Sequence, residues 1–82
     1  MARQEILSPI PGTFFRRPDP NSDPFVAVGQ AVTAADTVCL IEVMKNFHTV
    51  TAGVDGTLVE FLVDDEDVVG PGQPVAVVED GG

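Results

Sequence analysis

The chain has 82 residues, thirteen acidic and four basic, for a formal charge of -9. That length makes one small domain, near the size at which a single apolar core is only just adequate. The charge argues against nucleic-acid phosphates or an anionic membrane as partner. One cysteine forbids an internal disulfide, and no cluster of Cys and His offers a metal framework.

Met1 to Glu5 is polar and no apolar segment of signal-peptide type follows, nor does any stretch approach the length needed to cross a bilayer. The expectation is a soluble module in a reducing cytoplasm. Seven prolines, eight glycines and many valines, with hardly any 3.6-residue periodicity, indicate an all-β fold of short strands and frequent turns.

In chain order, Met1 to Glu5 is expected to be a frayed end and Ile6-Leu7 to begin the first strand. Ser8-Pro9-Ile10-Pro11-Gly12 is a proline-bracketed turn or edge that cannot lie inside a ladder, and Thr13 to Arg16 is the next strand. Arg17 to Pro24 carries three prolines in eight residues and is expected to be a stiff projecting loop. Phe25 to Val28 resumes apolar character, Gly29-Gln30 turns, and Ala31 to Asp36 leads into Thr37 to Ile41, a β-branched apolar run.

Phe47 to Thr51 alternates with period two, so Met44-Lys45-Asn46 is where the chain reverses tightly. Asn46 tolerates left-handed backbone, and no Asn-Gly or Asp-Gly pair is present. Beyond the hairpin, Ala52 to Gly56 is a turn-rich link, Thr57 to Val63 a strand, and Asp64-Asp65-Glu66-Asp67 a solvated acidic turn without the spacing of a calcium loop. Val68-Val69, a turn at Gly70 to Gln73, a last strand from Pro74 to Glu79 and a loose end at Asp80 to Gly82 complete the chain.

An internal repeat emerges when the chain is folded at Lys45. Pro11-Gly12-Thr13-Phe14 matches Asp55-Gly56-Thr57-Leu58 at an offset of 44, and Val32 to Glu42 matches Val69 to Glu79 at an offset of 37. The first half therefore holds seven extra residues, and the proline-rich loop lies where they fall. Two such half-domains, neither able to cover its own apolar face, would bury those faces against each other about a pseudo-twofold axis. The Lys45 hairpin then lies at one extremity and the chain ends meet at the other.

Lys45 is the only lysine, and an amine at the tip of a rigid ribbon has the character of an attachment point. Cys39, within an apolar run, is expected to be a buried hydrophobe, and His48, with no triad partner, a surface residue of a strand. No nucleotide-binding loop and no acid-base constellation point to an enzyme.

Glu42-Val43-Met44-Lys45 resembles the Glu-Ala-Met-Lys signature of biotinyl domains, and Gly56, eleven residues after the lysine, falls where that family keeps a glycine. Ser8 to Phe14, Val28-Gly29-Gln30 and Cys39 to Glu42 are similar to the biotin carboxyl carrier subunits of bacterial-type acetyl-CoA carboxylases, over roughly residues 6–79. The loop 17–24 corresponds to the protruding thumb of those subunits. Two positions depart from the pattern: Val43 replaces Ala, and Asn46 replaces an apolar residue.

The resemblance implies a flattened barrel or sandwich of two four-stranded antiparallel sheets over the single domain 1–82. It implies covalent biotin on Lys45, installed by a biotin protein ligase, with Glu42, Val43, Met44 and Asn46 read at the hairpin and Arg17 and Pro18 of the thumb near the cofactor. A biotin carboxylase loads a carboxyl group and a carboxyltransferase passes it on, which makes the chain a non-catalytic carrier subunit. Lipoylation of the same hairpin lysine, or an unmodified interaction domain of this fold, is the alternative.

Overall fold

The computed structural model describes residues 2–19 and 21–80. The eight strands are β1 (Arg3–Leu7), β2 (Gly12–Phe15), β3 (Ala31–Val32), β4 (Thr37–Val43), β5 (Asn46–Thr51), β6 (Gly56–Phe61), β7 (Val68–Val69) and β8 (Pro74–Asp80). They form two four-stranded sheets, ordered β1-β8-β6-β3 and β5-β4-β2-β7, with every pairing antiparallel. No described residue is helical.

Exchanging every strand with the one four places along the chain (β1 with β5, β2 with β6, β3 with β7, β4 with β8) turns the first sheet order into the second. The register obeys the same rule: Thr13 pairs Glu42 as Thr57 pairs Glu79, and Phe14 pairs Ile41 as Leu58 pairs Val78. Turn chemistry repeats as well. The Thr33 amide donates to Asp36 Oδ2 at 2.8 Å and the Gly70 amide to Gln73 Oε1 at 3.0 Å. The pseudo-twofold expected from the repeat is therefore present down to single hydrogen bonds, and it places the β4–β5 turn opposite the meeting of β8 with β1.

The core follows from strand alternation, which sends every second residue inward. Phe14 and Ile41 from one sheet and Leu58 and Val78 from the other are wholly buried repeat equivalents, joined by Val38, Val75 and Cys39. Phe14 meets the Phe61 ring edge-on, with centroids 6.0 Å apart. At the expected proline-bracketed corner, Ser8 is buried with its hydroxyl donating to Ile10 O at 2.6 Å. The strands approach closely at Gly12, where a Cβ would stand 2.5 Å from Glu42 O, and at Gly56, where it would collide with Glu79 O.

Several boundaries differ from expectation, each because a distant partner decides it. The polar start is not frayed over its described residues: β1 begins at Arg3, since β8 completes its ladder and Arg3 Nε lies 3.7 Å from Glu79 Oε2. Met1 lies outside the described residues, as do Gly81 and Gly82 of the expected loose end, whereas Asp80 belongs to β8. Arg16 leaves β2 because its amide donates to Asp65 Oδ1 at 2.7 Å. Leu62 and Val63 fall outside β6, with the Leu62 amide turned to Val75 O at 2.8 Å.

Replacing Gly12 or Gly56 with alanine should cost about 2–3 kcal/mol through backbone overpacking, measured by urea unfolding. Gly70, with nothing within 4 Å of its would-be Cβ, should accept alanine with no loss. Burial pushes the Cys39 thiol up from 9.0 to about 12. A thiol held protonated only in the folded state makes stability fall as pH rises from 9 toward 12. Unfolding free energy should therefore drop more steeply over that range in the parent chain than in Cys39→Ala, by up to about 1.4 kcal/mol per pH unit.

Candidate functional site

β4 and β5 pair from Thr37↔Thr51 to Val43↔Asn46, so only Met44 and Lys45 remain for the turn. Both are left-handed, with φ of 52° and 68°. Positive φ at both central residues is what a two-residue type I′ hairpin requires, because its twist matches that of the strands. Asn46, read from the sequence as the left-handed residue, instead sits in the ladder opposite Val43. Two non-glycine side chains in that region store about 1–2 kcal/mol each.

The turn carries both side chains into solvent, Met44 being 88% exposed. Arg3, Arg16 and Arg17 each face a carboxylate, whereas Lys45 has no ion pair among the described residues. Lys45 thus presents an amine without an ion-pair partner among the described residues, at the apex of a ribbon whose base is core. Glu42 and Val43 are half-buried on the approach strand, and His48 is exposed on β5, as expected.

Beside the hairpin, the outer face of β5-β4-β2 carries Thr13, Phe15, Leu40, Glu42, Phe47 and Thr49 in register. Phe15 and Phe47 reach across β4 with ring centroids 6.2 Å apart. Together with Arg17, Pro18, Asp19, Asp65 and Glu66 they line an open groove of about 320 Å³. The structure therefore brings Arg17 and Pro18 to the hairpin side of the molecule, next to a ring two residues from Lys45.

The base of the proline-rich loop is pinned by Asp65. One carboxylate oxygen accepts the Arg16 amide at 2.7 Å, and the other stands 3.2 Å from Arg17 Nε at an angle that makes an ion pair rather than a hydrogen bond. The Arg16 guanidinium covers the Phe61 ring at 4.8 Å, and the Phe25 amide closes the loop on Arg16 O at 3.0 Å. Within the loop Asp19 accepts from the Asn21 amide and the Ser22 hydroxyl; Pro20 lies outside the described residues. The acidic turn is thus only partly solvated, because Asp65 works as a clamp. Sequence reading missed Phe15, Phe47, Asp65 and Glu66 as site residues.

A family described as "Biotin-requiring enzyme" matches residues 4–78. The chain belongs to that family. It is 43% identical over 74 residues to the biotin carboxyl carrier protein of acetyl-CoA carboxylase from Pyropia yezoensis, covering 90% of this chain and 47% of the relative. It is 36% identical to the protein of that name from Haemophilus influenzae, again over 90% of this chain and 48% of the relative. The chain spans about half the length of these curated relatives. Among solved structures, the urea carboxylase of Kluyveromyces lactis superposes with a TM-score of 0.78 at 30% identity, over 96% of this chain and 6% of that one. The biotinyl fold expected from the resemblance is the one observed.

Met44→Gly should relieve the left-handed strain and raise stability by up to about 1 kcal/mol, read as an increase in Tm. A fall in Tm would mean that the Met44 side chain makes stabilising contacts.

Proposed function

We propose that the chain is a biotin carboxyl carrier unit, acting over residues 1–82 as one domain. It serves a multisubunit biotin-dependent carboxylase of the acetyl-CoA carboxylase kind in the cytoplasm. The observation that supports this most is the placement of Lys45: the sole lysine, exposed at a two-residue apex and without a carboxylate neighbour among the described residues.

These residues suit covalent biotin. The Lys45 amine can be acylated without opening an ion pair, and the groove between Phe47 and the thumb leaves space beside the arm. Bound there, biotin supplies a ring nitrogen that takes up and gives up a carboxyl group. The protein supplies presentation. Closure of the ladder at Val43↔Asn46 holds the lysine root at a constant height, so that a biotin protein ligase, a biotin carboxylase and a carboxyltransferase find the same tip.

Met44 is the side chain that these partners read, since it stands at the apex beside Lys45 and is 88% exposed. Glu42 and Val43 fix the strand that leads to it, and Arg17 and Pro18 flank the arm. Tethering keeps the cofactor at high effective concentration for two active sites in turn. The scaffold needs no acid or base of its own.

Incubation with biotin protein ligase, biotin and ATP should add one biotinyl increment to the intact mass of the parent chain and none to Lys45→Arg. That variant should keep its Tm, because an exposed tip contributes within about 0.5 kcal/mol, and should lose carboxyl transfer entirely. A lipoyl increment, an unmodified parent chain or carboxylase activity in Lys45→Arg would overturn the proposal.

A further inference from the structure

The pseudo-twofold provides an internal control. Residues related by it perform the same structural task in both halves, so a difference confined to the Lys45 half is not demanded by folding. Such differences converge on one place. Phe47 stands where the other half has Arg3 and Glu66 where it has Gly29, while Phe15 faces Leu40 where the other half, past a bulge at Val59, sets Glu60 against Val77. Pro18 and Asp19 belong to the insertion. All five line the groove beside the hairpin.

The exchange at Phe47 is the most telling. Arg3 pairs with Glu79 in the ladder and lies 3.7 Å from its carboxylate. Glu42, the equivalent of Glu79, pairs instead with Phe47 and has no cation among the described residues. An ion pair on one half has become, on the other, an aromatic ring 55% exposed to water beside an uncompensated acid. Glu66 shows a similar cost. It holds φ at 71° where its counterpart is a glycine at 92°, although the backbone task is identical: Glu66 donates to Phe14 O as Gly29 donates to Leu58 O, both at 2.7 Å. The half-domain tolerates a strained glutamate at a place suited to glycine.

We propose that this groove docks a segment of the biotin carboxylase, one that presents an aliphatic or aromatic side chain flanked by arginine or lysine. This rests on the carrier reading given above. The floor of Phe15, Phe47 and Pro18 accepts the apolar side chain, a geometry in which one aromatic anchor carries much of the binding energy. Glu42, Asp19 and Glu66 receive the cations. The chain's charge of -9 steers a basic partner toward the same face. Docking there sets the partner's active site within reach of an arm rooted two residues away.

Binding of the unmodified chain to the biotin carboxylase of the same cell, measured by surface plasmon resonance at low and moderate salt, tests the proposal. Phe47→Arg and Glu66→Gly each install the residue that the other half already carries, so both variants should keep or exceed the parent Tm. Phe47→Arg should weaken binding tenfold or more, and Glu66→Gly about threefold with a flatter salt dependence. Binding that is absent in the parent chain, or that neither substitution weakens, overturns the docking site. Weaker binding of the biotinylated than of the unmodified chain, with a matching shift of the Phe47 ring resonances, would give the groove to the chain's own arm and overturn it equally. Biotinylation by intact mass, followed in parallel, reports on the carrier reading separately: its loss from the parent chain sinks that reading, not merely the dock.

Discussion

The structure depends on two apolar half-faces that cannot exist apart. Phe14 with Ile41 and Leu58 with Val78 are fully buried equivalents on opposite sheets, and each pair is covered by the other half. With no disulfide available, this shared burial is the main source of cohesion, at about 25 cal/mol per Å² of apolar surface removed from water. Glycine at positions 12 and 56 is the condition for it, because β2 and β6 pass too close to their neighbours for a side chain there.

From that core the hairpin derives its rigidity. Its ladder runs without interruption from Cys39↔Val50, among the buried residues, to Val43↔Asn46 at the turn. The left-handed conformations of Met44 and Lys45 persist because the ladder over-determines them. A turn strained in this way cannot slide its register, since a slip by one residue would turn the inward side chains out. The root of the lysine is fixed while its side chain lies exposed, the division of labour that the proposed carrier role requires.

Electrostatics and asymmetry supply the rest. A strongly acidic chain pairs each arginine with a carboxylate, two of them on the acidic turn beneath the thumb, and leaves the single lysine unmatched among the described residues. Asp65 ties the inserted loop to β2, so the insertion contributes to the face beside the hairpin. The departures from the twofold therefore accumulate on the half that presents the lysine, while the other half keeps the plainer solution of an ion pair and a glycine.

The amino-acid sequence alone determined the all-β class, the reversal at the only lysine and the repeat at offsets of 44 and 37, because alternation, turn residues and self-similarity are local signals. It also placed Cys39 inside and His48 outside. What it could not reveal was set by partners far along the chain. β8 converts a polar start into β1, the β4–β5 register moves the left-handed positions from Asn46 to Met44 and Lys45, and a carboxylate 49 residues from Arg16 ends β2. The groove was hidden for the same reason: Phe15 and Phe47 become neighbours only when β4 lies between them. Pairing across a sheet is a tertiary event, and the sequence specifies it only through the energy of the whole core.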